Sequence, residues 1–298
     1  MNKVLINAVS FMLRRYPLIL LLGFVHTLAA QANERQTIRW LVFDFAPYYI
    51  MSDTHQGEGR DEQTIALLQQ QLPNYRFDYV HIPGSRAIHE LSNPQNTYCI
   101  LSLYKTQRRL DKLLFTNNAS TVGLSPALVM RKELAITLGL VEGEPVSLSQ
   151  LLAEQGLRLG LPMNRSYGKE LDHIINHSPR GSLVTRPGKD VLASLTYMLI
   201  KERLDMLVGY PSEHYYLASK MGVKEQMAIF PIAEVAAISH GYVGCSNTAL
   251  GSEHIDIIDS ALEKITATDS YQQVMMRWLP PQLKPRLQQQ LQTRLKAQ

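Results

Sequence analysis

Residues 37–80, TIRWLVFDFAPYYIMSDTHQGEGRDEQTIALLQQQLPNYRFDYV, carry the pattern that decides the fold of this 298-residue chain. Thr37–Phe43 (TIRWLVF) is rich in β-formers and reads as a strand. Asp61–Leu72 sets Ile65, Leu68 and Leu72 on one face and reads as a helix, and Arg76–Val80 reads as a second strand. Strand, helix and strand in succession make a βαβ unit, the building block of a mainly parallel sheet.

The alternation continues outward from this unit. Ser85–Leu91 reads as a short helix and Thr97–Leu103 (TYCILSL) as a third strand, while Thr121–Arg131 (TVGLSPALVMR) is extended and leads into the polar stretch Glu142–Pro145. A second series follows: helix Leu148–Glu154, strand Leu157–Leu161, helix Ser166–Asn176, strand Ser182–Thr185, helix Lys189–Glu202, strand Leu204–Val208, helix Ser212–Lys220 and strand Met227–Phe230. Another extended run, Ala237–Cys245, precedes helices Glu253–Thr266 and Ser270–Trp278. The Gln-rich tail from Pro280 spaces Leu287, Leu291 and Leu295 four residues apart, which suits either a helix packed on the body or a frayed terminus. There is no repeat of solenoid type.

The first 32 residues have the three parts of a secretory signal. Lys3, Arg14 and Arg15 are the basic region, Tyr16–Ala30 is mostly apolar, and Ala30-Gln31-Ala32 is a small-x-small cleavage site. The apolar run falls short of the roughly 20 residues that span a bilayer, so it reads as a cleaved leader, and the mature chain is expected in the periplasm. Of 298 residues, removal of 32 leaves 266, and losing three cations takes the formal charge from +4 to about +1. A near-neutral chain lacks the concentrated basic surface of a nucleic-acid or membrane-surface binder. The only cysteines are Cys99 and Cys245, either a disulfide in an oxidising compartment or two buried thiols in strands.

Several motifs, in order, give a family resemblance. Phe45-Ala46-Pro47-Tyr48 follows the first strand, Gly59-Arg60-Asp61 opens the first helix with Arg in an aromatic position, and Thr106-Gln107-Arg108-Arg109 is followed by Phe115-Thr116. Leu159-Gly160-Leu161 leads to Arg165-Ser166-Tyr167, Arg203-Leu204-Asp205 forms a turn, and Tyr271 and Trp278 close the series. From about Thr37 to Trp278 the chain resembles the type II periplasmic solute-binding proteins, in their family 3, amino-acid-binding branch.

The resemblance implies an α/β fold of two lobes, each a mainly parallel sheet flanked by helices. Two crossing hinge strands, about Thr121–Arg131 and Ala237–Cys245, would join them. The expected division is a signal peptide at 1–32, lobe 1 at 33–124 plus 240–298, and lobe 2 at 125–239. Cys99 and Cys245 would then share lobe 1, on strands that can be neighbours. The expected function is capture of a small polar, carboxylate-bearing solute for an ABC transporter. The expected protein is a monomer without cofactor, metal or nucleic acid. Two other roles stay open: a receptor for a membrane signalling partner, and a small-molecule lyase or dehydratase on the same fold.

Ligands of open α/β sheets bind beyond the carboxyl ends of the strands, and the candidate residues follow from that rule. Arg109, after the third strand, can grip a carboxylate through its guanidinium, and the resemblance assigns it that role with Thr106 nearby. Phe45 and Tyr48 can cover an apolar or cationic part of a ligand, or serve as core aromatics. Ser166 and Tyr167, at an expected helix start, can meet anionic oxygens, with a plain N-cap as the alternative for Ser166. Arg86 is either a second cleft cation or a surface arginine. Tyr210 stands where amino-acid binders carry an Asp for the ligand ammonium, and Tyr104 replaces a small polar residue. Both departures favour an anion over a zwitterion, although Glu213 can restore a negative charge.

Catalytic signatures are sparse. His173, His177, His214 and Glu213 are acid/base candidates, and His173 with His177 has an i, i+4 spacing that lacks a third metal ligand. The chain has no Gly-x-Ser-x-Gly elbow, no nucleophilic Cys arrangement and no phosphate loop.

Overall fold

Strand β1 (Thr37–Val42) pairs in parallel with β2 (Arg76–His81), Thr37 opposite Arg76, and the crossover between them is helix α1 (Arg60–Gln71). Alternation buries Ile38 and Trp40 completely on one face of β1, and Ile65 and Leu68 of α1 are likewise fully buried. The structure, a computed structural model, describes residues 36–297 apart from 53, 155, 164, 180, 188 and 189. The leader read in residues 1–32 lies outside the described residues, as does Lys189, the expected first residue of a helix.

A one-turn 3-10 segment (Gly84–Arg86) and α2 (Ala87–Leu91) lead to β3 (Cys99–Leu103). Then come α3 (Gln107–Leu110), the 12-residue β4 (Leu113–Leu124), β5 (Ala127–Arg131) and α4 (Lys132–Thr137). The extended run expected at Thr121–Arg131 is thus two strands in two different sheets. Pro126 sits at the break, where a residue without an N–H cannot continue a ladder. Helices α3 and α4 were not expected, both being too short to show a hydrophobic period.

The second series comprises α5 (Leu148–Glu154), β6 (Leu159–Pro162), α6 (Lys169–Asn176), β7 (Leu183–Arg186), α7 (Val191–Ile200), β8 (Met206–Gly209), α8 (Pro211–Lys220) and β9 (Met227–Pro231). Strand β10 (Ile238–Ser246) then returns to the first sheet, followed by α9 (Ala249–Thr266), α10 (Asp269–Met276) and α11 (Lys284–Ala297). Helix α9 starts four residues before the expected Glu253 because Thr248 Oγ1 caps it, accepting from Gly251 N at 2.9 Å. Leu287 and Leu291 of α11 are buried, so the tail is a helix packed on the body.

Two five-stranded sheets result, in the orders β2-β1-β3-β10-β4 and β7-β6-β8-β5-β9. In each, three parallel strands meet an antiparallel fourth, β10 or β5, so the sheets are mixed. The chain passes between the sheets after Leu124 and again before Ile238. Cys99 on β3 and Cys245 on β10 are register partners joined by a disulfide, with Cα atoms 4.1 Å apart. Among the described residues no helix is long and apolar enough to cross a membrane.

Candidate functional site

Parallel strands β1, β3, β6 and β8 all end toward one cavity of about 250 Å³, lined by residues just beyond their carboxyl ends. Phe45 and Tyr48 follow β1, Tyr104 follows β3, Arg165 follows β6, and Tyr210 and Ser212 follow β8. The cavity is therefore walled by both sheets. The lobes touch around it: Tyr48 and Ser212 hydroxyls are 3.4 Å apart, Tyr104 and Tyr210 hydroxyls share a hydrogen bond, and Trp278 meets Tyr216 edge-on at 5.2 Å.

The first wall is aromatic. A tight loop over the cis Ala46–Pro47 bond, closed by Phe45 N donating to Tyr49 O, turns Phe45 into the cavity. Its ring lies 5.1 Å from that of buried Tyr48 and 6.0 Å from that of Phe43. Arg60, in the first turn of α1, stacks its guanidinium 4.3 Å from the Tyr48 ring centre, donates to Asp61 Oδ1 at 2.9 Å, and reaches Ser102 Oγ at 3.2 Å. Burial works against the Arg60 charge, but Asp61 and Tyr48 together lift its pKa above the ordinary value.

Ser102 holds a left-handed backbone, φ 60°, at the cavity wall. That conformation is rare for a residue with a Cβ and gathers at functional sites. Gly241 on β10 makes room for it, because a Cβ there would stand 2.7 Å from Ser102 Cα and 2.4 Å from Thr121 Oγ1. Ser102 Oγ donates in turn to Thr121 Oγ1 at 3.1 Å, so the serine holds Arg60 from a fixed position.

The second wall holds an ion pair. Arg165 Nη2 donates to both oxygens of Glu213, at 2.7 and 2.9 Å, with Glu213 only 1% exposed. Burial opposes the Arg165 charge, but Glu213, with Tyr167 and Tyr48, raises its pKa above the ordinary value. His214, fully buried beside them, is pushed down to about 3 by burial and then by the Arg165 charge. Burial, then Tyr104, raises the pKa of Tyr210, which keeps its hydroxyl neutral.

Two of the three cavity arginines are thus neutralised by the protein itself, Arg60 by Asp61 and Arg165 by Glu213. Arg109 differs. Half-buried, it donates from Nη1 to Tyr104 O at 3.1 Å, and among the described residues it makes no ion pair. Burial, then the neighbouring Arg108, lowers its pKa, so an anion beside it would relieve both penalties.

The cavity gathers Phe45, Tyr48, Tyr104, Arg109, Ser166, Tyr210 and Glu213 of the residues singled out in the sequence. Ser166 does not open a helix: α6 begins at Lys169 after Gly168 at φ 104°. Asp172 holds the loop instead, taking the Ser166 hydroxyl and accepting from Tyr167 N at 2.8 Å. Tyr167 packs in the second lobe's core, and Thr106 precedes α3 at its N-cap position, without a side-chain hydrogen bond to the helix, beside an outer groove. Arg86 lies outside the cavity on the surface, paired with Glu90. Sequence reasoning passed over Arg60, Ser102 and Arg165 as site residues. The signals were there for Arg60, in an otherwise aromatic position, and for Arg165, in the motif that follows β6, whereas Ser102 within β3 is brought to the wall by the pairing of β3 with β10.

The rings of His173 on α6 and His177 at its C-cap lie 4.1 Å apart, tilted by 37°. Among the described residues no three His, Cys, Asp or Glu side chains cluster as a metal site.

No protein-family model matches the sequence, and no curated protein matches it. Solved structures do match the fold. A substrate-binding protein of an ABC uptake transporter from Streptococcus pneumoniae, solved with bound histidine, is similar at 15% identity and TM-score 0.58, covering 83% of this chain and 93% of that one. An ancestral arginine-binding protein bound to arginine matches at 16% identity and TM-score 0.57, over 83% and 99% of the two chains. A histidine kinase sensor domain with similarity to periplasmic binding proteins matches at 15% identity and TM-score 0.59, over 83% and 98%. The chain has the two-lobed type II periplasmic-binding fold.

Proposed function

We propose that this chain, built on the type II periplasmic-binding fold, is a non-catalytic solute-binding protein that captures a small carboxylate-bearing solute between its lobes. It works in the periplasm after loss of residues 1–32 and hands its solute to an ABC transporter. The lobes are 33–124 with 240–298, and 125–239. The observation that carries the reading is the cavity between the two sheets, in which Arg109 is the cation without a carboxylate partner among the described residues. Arg109 grips the ligand carboxylate, while Phe45, Tyr48 and Tyr210 enclose its body. Ser166 borders the anion with Arg109 on the open side. Arg60 and Arg165 shape the walls from within their own ion pairs.

Ligand binding favours the closed state by as much as it binds that state better. A sensor receptor uses the same closure, and the likeness to a kinase sensor domain supports that role as the second reading. Thermal-shift screening against amino acids and organic acids tests the proposal, because a ligand that binds only the folded state raises the melting temperature. A carboxylate that stabilises the wild type and not Arg109→Ala supports the clamp. A hit whose effect survives Arg109→Ala, or that is turned over, refutes it.

A further inference from the structure

The cavity opens on a second, larger groove of about 1050 Å³, and the two share Tyr104, Arg109, Arg165, Ser166 and Ser239 in their walls. The groove differs in charge from the chain around it. Lys105, Arg108, Arg109, Lys112 and Arg165 line it, against Glu170 as its one carboxylate among the described residues. Arg165 is already paired with Glu213, while the four cations from Lys105 to Lys112 make no ion pair among the described residues. The whole chain carries only +4, so one groove concentrates charge that the rest of the protein balances.

The cations are placed rather than scattered. Lys105 holds its ammonium 3.9 Å from the Tyr242 ring centre, a contact that fixes a long side chain. Arg109 is anchored to Tyr104 O, and the charge of Arg108 bears on it. Arg108 on helix α3 and Lys112, just past the α3 C-cap Asp111, line the same groove as Arg109. Like charges held together at the mouth of a low-dielectric cleft focus a positive field outward from it.

We propose that Lys105, Arg108 and Lys112 form a second anion subsite at the mouth of the cleft, so that the ligand is an elongated dianion. One carboxylate would sit at Arg109, the chain would run along the cleft, and the second acidic group would rest among the outer cations. The proposal rests on the cleft reading above and names its ligand class: linear dicarboxylates or acidic dipeptides rather than single amino acids.

Linear dicarboxylates from glutarate to azelate, each beside its own monomethyl ester, test this by titration calorimetry. The two members of a pair share a chain and differ by one charge. At the matching length the diacid binds about tenfold or more tighter than its monoester, and Arg108→Gln with Lys112→Gln narrows that ratio to under about threefold. A ratio near one at every length, with Arg109→Ala abolishing both members, overturns the outer subsite and leaves the cleft reading standing. A tenfold ratio that persists in the double variant overturns the assignment to these cations. Binding of no diacid or monoester, beside another carboxylate that stabilises the wild type and not Arg109→Ala, overturns the elongated dianion and leaves the cleft reading standing, whereas the absence of any stabilising carboxylate overturns both.

Discussion

Replacing Arg165 with Leu strips the one cation that, among the described residues, pairs with a carboxylate 1% exposed. The pair in place has Arg165 Nη2 donating to both Glu213 oxygens at 2.7 and 2.9 Å. Breaking a buried pair by removing one partner costs about 3–5 kcal/mol, because the remaining charge is left without compensation. The Arg165 side chain is 19% exposed, so water screens the pair in part and about 3 kcal/mol is expected. For a chain of this size that lowers the melting temperature by roughly 6–12 °C. Removing both charges, Arg165→Leu with Glu213→Leu, leaves no uncompensated ion and recovers most of the loss. Calorimetric melts of the wild type, both single variants and the double variant give the coupling directly. A single variant melting within about 2 °C of wild type, or a double variant no better than Arg165→Leu, refutes the account.

Three further outcomes follow from the same geometry. His214, held near 3 against an ordinary 6.5, takes its proton in the unfolded chain first, so its contribution is complete above about pH 6.5. Stability should fall by about 1.4 kcal/mol per pH unit from 6.5 toward 3; denaturant midpoints at several pH values should show that slope flattened in His214→Gln, and equal slopes would contradict it. Gly241→Ala places a Cβ 2.7 Å from Ser102 Cα and should cost about 1–3 kcal/mol in urea unfolding, whereas a neutral result would mean that Ser102 leaves its left-handed conformation freely. Reducing the Cys99–Cys245 disulfide, which spans 146 residues of sequence, should destabilise the fold by about 2–5 kcal/mol, measured as the shift in denaturant midpoint with and without reductant.

Much of the architecture was legible because it rests on local periodicity. The apolar spacing of Ile65 and Leu68 marks α1, and the β-rich run 37–43 marks β1, in any context. Elements shorter than about two turns of period, such as α3 and α4, leave no such trace. The helix expected at Ser166 was misplaced because Asp172 binds back to Ser166 and Tyr167, a contact that competes with the helix and is invisible to a hydrophobic pattern.

The candidate site divides along the same line. Phe45, Tyr48, Arg109 and Tyr210 follow strand ends, so strand positions alone put them at the cavity. By itself, then, the sequence determined the alternation of strands and helices and the side chains that follow the strands. Only the tertiary structure decided the electrostatics. Asp61 neutralises Arg60 from the next residue, but Arg165 meets Glu213 across 48 positions, and Arg109 keeps its charge for want of a carboxylate partner. Whether a buried arginine is free to bind an anion depends on which carboxylates the fold brings within hydrogen-bond reach, a distance in space that no spacing along the chain encodes.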